Sequence, residues 1–114
     1  MKVLAAQQAI CQEYHTNYVA CEQHLKLGVS RGVRHGVRPL HGVRYRPEAD
    51  TSGWYIWAGG YSEAEDFFQP VHVAHIAEWA PELLPYLGLG PGWCFLLIPE
   101  EGFADVWFDD QLLT

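Results

Sequence analysis

Apolar residues in the first part of the chain fall at Leu4, Ala5, Ala9, Ile10, Tyr14, Tyr18, Val19 and Cys21. The earlier of these fit one face of a helix running to about His15, and the segment NYVACEQ reads as a strand from about Tyr18. A glycine-rich stretch follows, with a Gly-Val-Arg triplet at Gly32–Arg34, Gly36–Arg38 and Gly42–Arg44. That period is far too short for a solenoid repeat. Glycine at such density weakens regular structure, so the stretch predicts loops or a hairpin. A strand over about Gly42–Tyr45 then follows, where Val43 and Tyr45 alternate with arginines. PEADTSG is a turn by composition.

The second part of the chain has stronger signals. WYIWAGG is rich in residues that suit a pleated surface and closes on two glycines, which predicts a strand. YSEAEDFFQP is an acidic loop carrying the pair Phe67 and Phe68. Beyond Pro70, Val73, Ile76, Ala80, Leu83, Leu84 and Leu87 recur at helical spacing, but Pro81 and Pro85 interrupt them. Two short helices fit better than one, with Pro81 in the first turn of the second. WCFLLI reads as a buried strand, PEEGFA as a hairpin loop and DVWFD as a closing strand, an antiparallel pair. The tail packs by Leu112 and Leu113. Strands at about residues 42–46, 53–58, 93–98 and 104–108, with helices outside them, predict one α+β domain over residues 1–114, a mostly antiparallel sheet packed against helices. Its expected core is Trp54, Ile56, Trp93, Phe95, Leu97, Val106 and Phe108 with Ile76 and Leu84.

Composition narrows the class. At 114 residues, 49% hydrophobic and with five Trp, the chain is too apolar for disorder and large enough to fold without metal or disulfide staples. No apolar run approaches the roughly 20 residues of a membrane span, and the opening lacks a secretory signal. Cys11, Cys21 and Cys94 are an odd number without close pairing, as expected of reduced thiols in a cytoplasmic protein.

Charge is divided along the chain more sharply than the net −7 suggests. Six of the seven basic residues lie between Lys26 and Arg46, whereas residues 47–114 hold twelve carboxylates and no Lys or Arg. Either the basic strands and acidic loops meet in the fold and partly neutralise one another, or an acidic face steers a basic partner. Nucleic acid is not an expected partner: the chain is acidic overall, and its basic stretch lacks interleaved aromatics.

No catalytic constellation emerges. His72 and His75, three apart on a predicted helix near Glu78, have a spacing that can hold a metal, but no third ligand stands at a fixed offset. Ser30, Ser52 and Ser62 lack the glycine elbow of an acyl-transfer nucleophile. No glycine pattern opens a helix to cradle phosphate. Cys94 falls in a buried strand, where burial raises a thiol's pKa and leaves it inert. The expectation is a non-enzyme without metal or cofactor. A competing class is a ligand- or metal-binding domain using His72, His75 and the aromatics Trp54, Trp57 and Trp79; a third is a structural adaptor.

From about residue 40 to 113, the segments PLHGVRYRPEADTSGWYIWAGG, DFFQPVHVAHIAEWAPELLPYLGLGPGWCFLL and ADVWFDDQLL resemble an immunity-protein family associated with bacterial polymorphic toxin systems. The resemblance covers about two-thirds of the chain and rests on structural positions rather than catalytic ones. The Gly-Val-Arg stretch before Pro39 lies outside its pattern. It implies an α+β protein that binds and neutralises a cognate protein toxin. From the residues themselves, the expected contact is the acidic loop at Glu63, Glu65 and Asp66, with Phe67 as an apolar anchor. The alternative is that Phe67 and Phe68 enter the core and the acids only keep the loop soluble.

Overall fold

A strand with large apolar side chains on both faces must cover each face or leave one open. The arrangement of helices decides which. In the computed structural model, which describes residues 2–114, six strands form one sheet: β1 (Lys26–Val29), β2 (Leu40–Arg44), β3 (Thr51–Ala58), β4 (Gln69–His72), β5 (Trp93–Ile98) and β6 (Phe103–Phe108). Their spatial order is β4-β1-β3-β2-β5-β6, with β1 and β3 parallel and every other pair antiparallel. The helices are α1 (Lys2–Glu13), α2 (Arg31–Arg34) and α3 (Val73–Trp79), joined by a 3-10 helix over Pro81–Tyr86. The result is α+β, as the strand and helix patterns predicted.

All the helical core residues meet the same face of the sheet. Leu27, Val29, Leu40, Trp54, Ile56, Phe95 and Leu97 pack there with Cys11 of α1, Val33 of α2, Val73 and Ile76 of α3, and Leu83. α1 is held on the 3-10 helix by Gln7, whose Nε2 donates to the Leu84 carbonyl at 2.9 Å. Pro81 opens that 3-10 helix at its first turn, where its missing N–H leaves nothing unpaired. Gly42 of β2 lies under the Phe95 ring: a Cβ there would stand 2.2 Å from a ring carbon. The glycine is what lets Phe95 reach the middle of the core.

Several expectations are corrected. Residues 16–22 are irregular, not a strand; Val19 instead donates its N–H to Gly88 O at 2.9 Å. The first strand comes later, at β1, and β4 occupies the end of what read as the acidic loop. The first Gly-Val-Arg triplet is helical in α2, the second lies in the following turn, and only the third is strand. Of the expected core, Trp54, Ile56, Ile76, Phe95, Leu97 and Val106 are buried, while Trp93 and Leu84 are partly so. Phe108 is 49% exposed, since β6 is an edge strand and its ring packs edge-on to Trp93, 5.5 Å away, and over Gly92 but not into the main core.

The charged residue at a core position is Arg44, 1% exposed. Its Nε donates to Ser52 O at 2.9 Å, its Nη1 to Val19 O at 3.1 Å and Leu89 O at 2.7 Å, and its Nη2 to Ala20 O at 3.1 Å. These are the carbonyls of the irregular 16–22 segment, of β3 and of the turn before β5. Helix and sheet ladders leave them unpaired, and a buried carbonyl needs a donor. Burial, the larger influence, depresses the guanidinium's pKa.

Candidate functional site

The opposite face of the sheet carries the alternate residues of the same strands. The ladders align Tyr55 with Val43 and Gly28, Trp57 with His41, Leu96 with His41 and Asp105, and Trp107 with Cys94. Among the described residues no helix lies over this face, and Tyr45, Tyr55, Phe103 and Trp107 are exposed on it. Gly28 accommodates the Tyr55 ring, which a Cβ would meet at 2.6 Å.

The rings associate with one another. His41 stacks on Trp57 with centroids 4.8 Å apart; Trp57 meets Tyr61 edge-on at 5.3 Å; Tyr61 meets Phe67 at 5.4 Å; and Tyr55 meets Phe68 at 5.2 Å and Tyr45 at 5.6 Å. Edge-to-face pairs in this distance range are the favoured geometry for aromatic side chains. Between them lies a trough of about 940 Å³, walled by Val43, Tyr45, Tyr55, Trp57, Tyr61 and Phe68. Glu48 and Arg46 stand at its end, the latter with its Nε donating to Leu113 O at 3.1 Å. Burial first, then the neighbouring Tyr61 and Tyr55, raises the pKa of Tyr45. His41 is depressed by burial, only partly offset by a hydrogen bond with the Gly59 backbone.

The acidic loop borders this face. Glu63, Glu65 and Asp66 are exposed, and Phe67 and Phe68 are half-buried against Tyr61 rather than in the main core. The sequence pointed to the loop but not to Tyr45, Tyr55 and Tyr61 beside it, and it grouped Trp57 with Trp54 and Trp79 instead. The available signal was that WYIWA is apolar on both faces in a chain with few helical residues. The competing aromatic grouping does not form: Trp54 lies in the core, Trp57 on the open face, and Trp79 packs against His75 and under the Arg34 guanidinium at 4.7 Å.

Most of the basic stretch is engaged internally. Lys26 pairs with Asp50 at 3.0 Å, and Arg38 with Glu82 at 2.9 Å and Glu100 at 3.0 Å. Those pairs are the neutralisation the charge pattern allowed. Glu48, Glu63, Glu65, Asp66, Asp105, Asp109 and Asp110 have no ion-pair partner among the described residues, and neither do Arg31, Arg34 and Arg46, so the unpaired charge is mostly but not wholly acidic.

Elsewhere the chemistry-bearing side chains stay apart. His72 and His75 have ring centroids 6.1 Å apart, and no three His, Cys, Asp or Glu side chains converge among the described residues. Burial first, then the charge of Asp109, pushes the Cys94 thiol up to about 11. Cys11, Cys21 and Cys94 are all free. No described helix is long and apolar enough to cross a membrane.

Neither a curated protein nor a solved structure matches this chain. A family model does, that of the Imm33-like domain, over residues 6–109. The match takes in most of α1, the glycine-rich stretch and nearly all of the segments that carried the resemblance, and the chain belongs to the Imm33-like family.

Proposed function

We propose that this protein is an immunity protein that binds and neutralises a cognate toxin, without chemistry of its own. One observation beyond family membership carries the reading. Among the described residues, a face of the sheet that carries several aromatic rings has no helix over it, and it is bordered by acids with no ion-pair partner. A protein interface has this anatomy: aromatic anchors at the centre and a polar rim that steers the encounter. The contact surface includes Glu63, Glu65, Asp66 and Phe67, and the partner is basic. The site of action is the cytoplasm, where free thiols stay reduced.

The test is to express the protein encoded in the neighbouring reading frame, which this reading expects to be a toxin, with and without this chain. Restored growth and a co-purifying complex are expected. Toxicity unchanged by the chain would refute the reading. For the absence of catalysis, a broad substrate screen should show no turnover; turnover lost on His72→Ala or Cys94→Ala would overturn it.

A further inference from the structure

The sheet has two edges, built differently. β4 is four residues long, contains Pro70 and runs directly into α3, which are features that blunt an edge. β6 is six residues long, FADVWF, and has no proline, glycine or basic residue. Natural sheets seldom leave such an edge free, because its unpaired main chain is a template for another strand.

The ladder fixes which groups are free. Asp109 donates its N–H to Gly92 O at 2.8 Å, in register with the Trp93–Phe108 and Phe95–Val106 pairs. Alternation in an antiparallel pair then turns the main chain of Phe103, Asp105 and Trp107 toward β5 and that of Ala104, Val106 and Phe108 outward. Tyr45 N–H to Gly53 O, at 2.9 Å, sets the same parity from the other side of the sheet. The C-terminal turn does not close the edge, since Leu113 is drawn back to Arg46.

Charge identifies the occupant. Glu100 and Glu101 precede the strand, Asp105 is in it, and Asp109 and Asp110 follow it, with no Lys or Arg anywhere in residues 47–114. A second copy is disfavoured: one two-fold register sets Asp105 against Asp105, and the other brings Asp109 and Asp110 of each copy beside Glu101 of its mate. Like charges opposite each other destabilise a ladder. A strand carrying Lys or Arg meets the opposite situation. Phe103 and Trp107, 47% and 41% exposed on the open face, would cover the stems of its side chains.

We propose that the free edge of β6 is a docking strand that takes up an extended basic segment of the partner protein by main-chain pairing, with Ala104, Val106 and Phe108 as the pairing residues. This deepens the toxin-binding reading and rests on it for the nature of the partner. Strand addition of this kind draws affinity from the main chain and selectivity from alternate side chains.

The probe is a peptide of about eight residues alternating lysine with valine, a typical strand length. Amide exchange at Ala104, Val106 and Phe108 should slow on binding. A glutamate-valine peptide, or a lysine-valine one N-methylated at alternate amides, should bind at least about tenfold more weakly. Ala104→Pro removes an outward N–H, which an edge strand tolerates, and should weaken binding by about the same factor. If that variant fails to fold, Asp105→Lys with the N-methylated peptide decides the matter. Absence of binding, equal binding of the N-methylated peptide, or changes confined to residues 61–68 would overturn the proposal. With the toxin in hand, a folded Ala104→Pro chain that neutralises as well as the parent would also overturn it and leave the immunity reading standing. A parent chain that fails to neutralise would remove that reading and not the peptide result.

Discussion

The two faces of the sheet are written by the same strands and differ in what covers them. On the helix side Trp54, Ile56 and Phe95 are fully buried, each beside residues brought by α1, α3 or the 3-10 helix. One residue along, on the other side, Tyr55 and Trp57 touch mainly other rings of the same face. Hydrophobicity of the strand residues is therefore not what makes the core. The helices do, and the open face keeps apolar area that folding did not use. That area is available to binding, where burying it is favourable.

The contrast is sharpest in stability. Phe95→Ala or Trp54→Ala removes a ring from the packed side and should cost about 3–5 kcal/mol, much of a typical total of about 5–15. Tyr55→Ala or Trp107→Ala should cost no more than about 1 kcal/mol. Urea midpoints of the four variants measure this; equal losses on the two sides would mean the open face is part of the folding core.

Arg44 tests what holds the helix side to the irregular segment. Arg44→Met keeps the length and apolar character but leaves the carbonyls of Val19, Ala20, Ser52 and Leu89 without their donor. Unsatisfied buried acceptors cost about 1–3 kcal/mol each, so a total loss near 3 kcal/mol is expected after local rearrangement. An unchanged midpoint would show that water replaces the guanidinium.

The open side should respond in association rather than stability. Reversing Glu63, Glu65 and Asp66 to Lys removes the steering of a basic toxin, so association should slow by about tenfold at low salt. The gap should narrow as salt screens it. Stopped-flow rates at both salts decide; unchanged rates would take this loop out of the interface without touching the immunity reading.

What the sequence made legible follows the same division. The β5–β6 hairpin was readable because Trp93, Phe95 and Leu97 alternate and PEEG ends on Gly102 in the left-handed region, at φ 64°. Pro81 marked the break between α3 and the 3-10 helix. β1 and β4 have four residues each, too few for a period, and exist because β3 and each other's edge hold them. Arg44 reads as a surface charge until the carbonyls around it are placed. The Gly-Val-Arg triplet, identical three times, becomes helix, turn and strand, so tertiary surroundings and not the triplet itself set its conformation. Of the candidate site, the acidic loop was visible as a charge cluster. The aromatic face was not, because alternation tells that two faces exist and not which one a helix will take.

The smallest effect separates the faces by pH. His41 sits on the open side, stacked on Trp57, and burial holds its pKa below the ordinary 6.5. Above 6.5 the imidazole is neutral folded and unfolded, so its contribution is fully present. Below that value the unfolded chain takes up a proton that the folded chain resists, and stability falls until pH passes the folded pKa. Asp50 and Glu100 do not obscure this window, since Lys26 and Arg38 hold their carboxyls below the usual range and they stay ionised. The remaining histidines are common to parent and variant. Urea midpoints at about pH 7.5 and about pH 5.5 should therefore differ more in the parent than in His41→Gln, whose lost stacking lowers both values alike. An identical pH dependence in the two chains would mean that His41 is as well hydrated folded as unfolded, and that this end of the aromatic face is more open than the Trp57 stack implies.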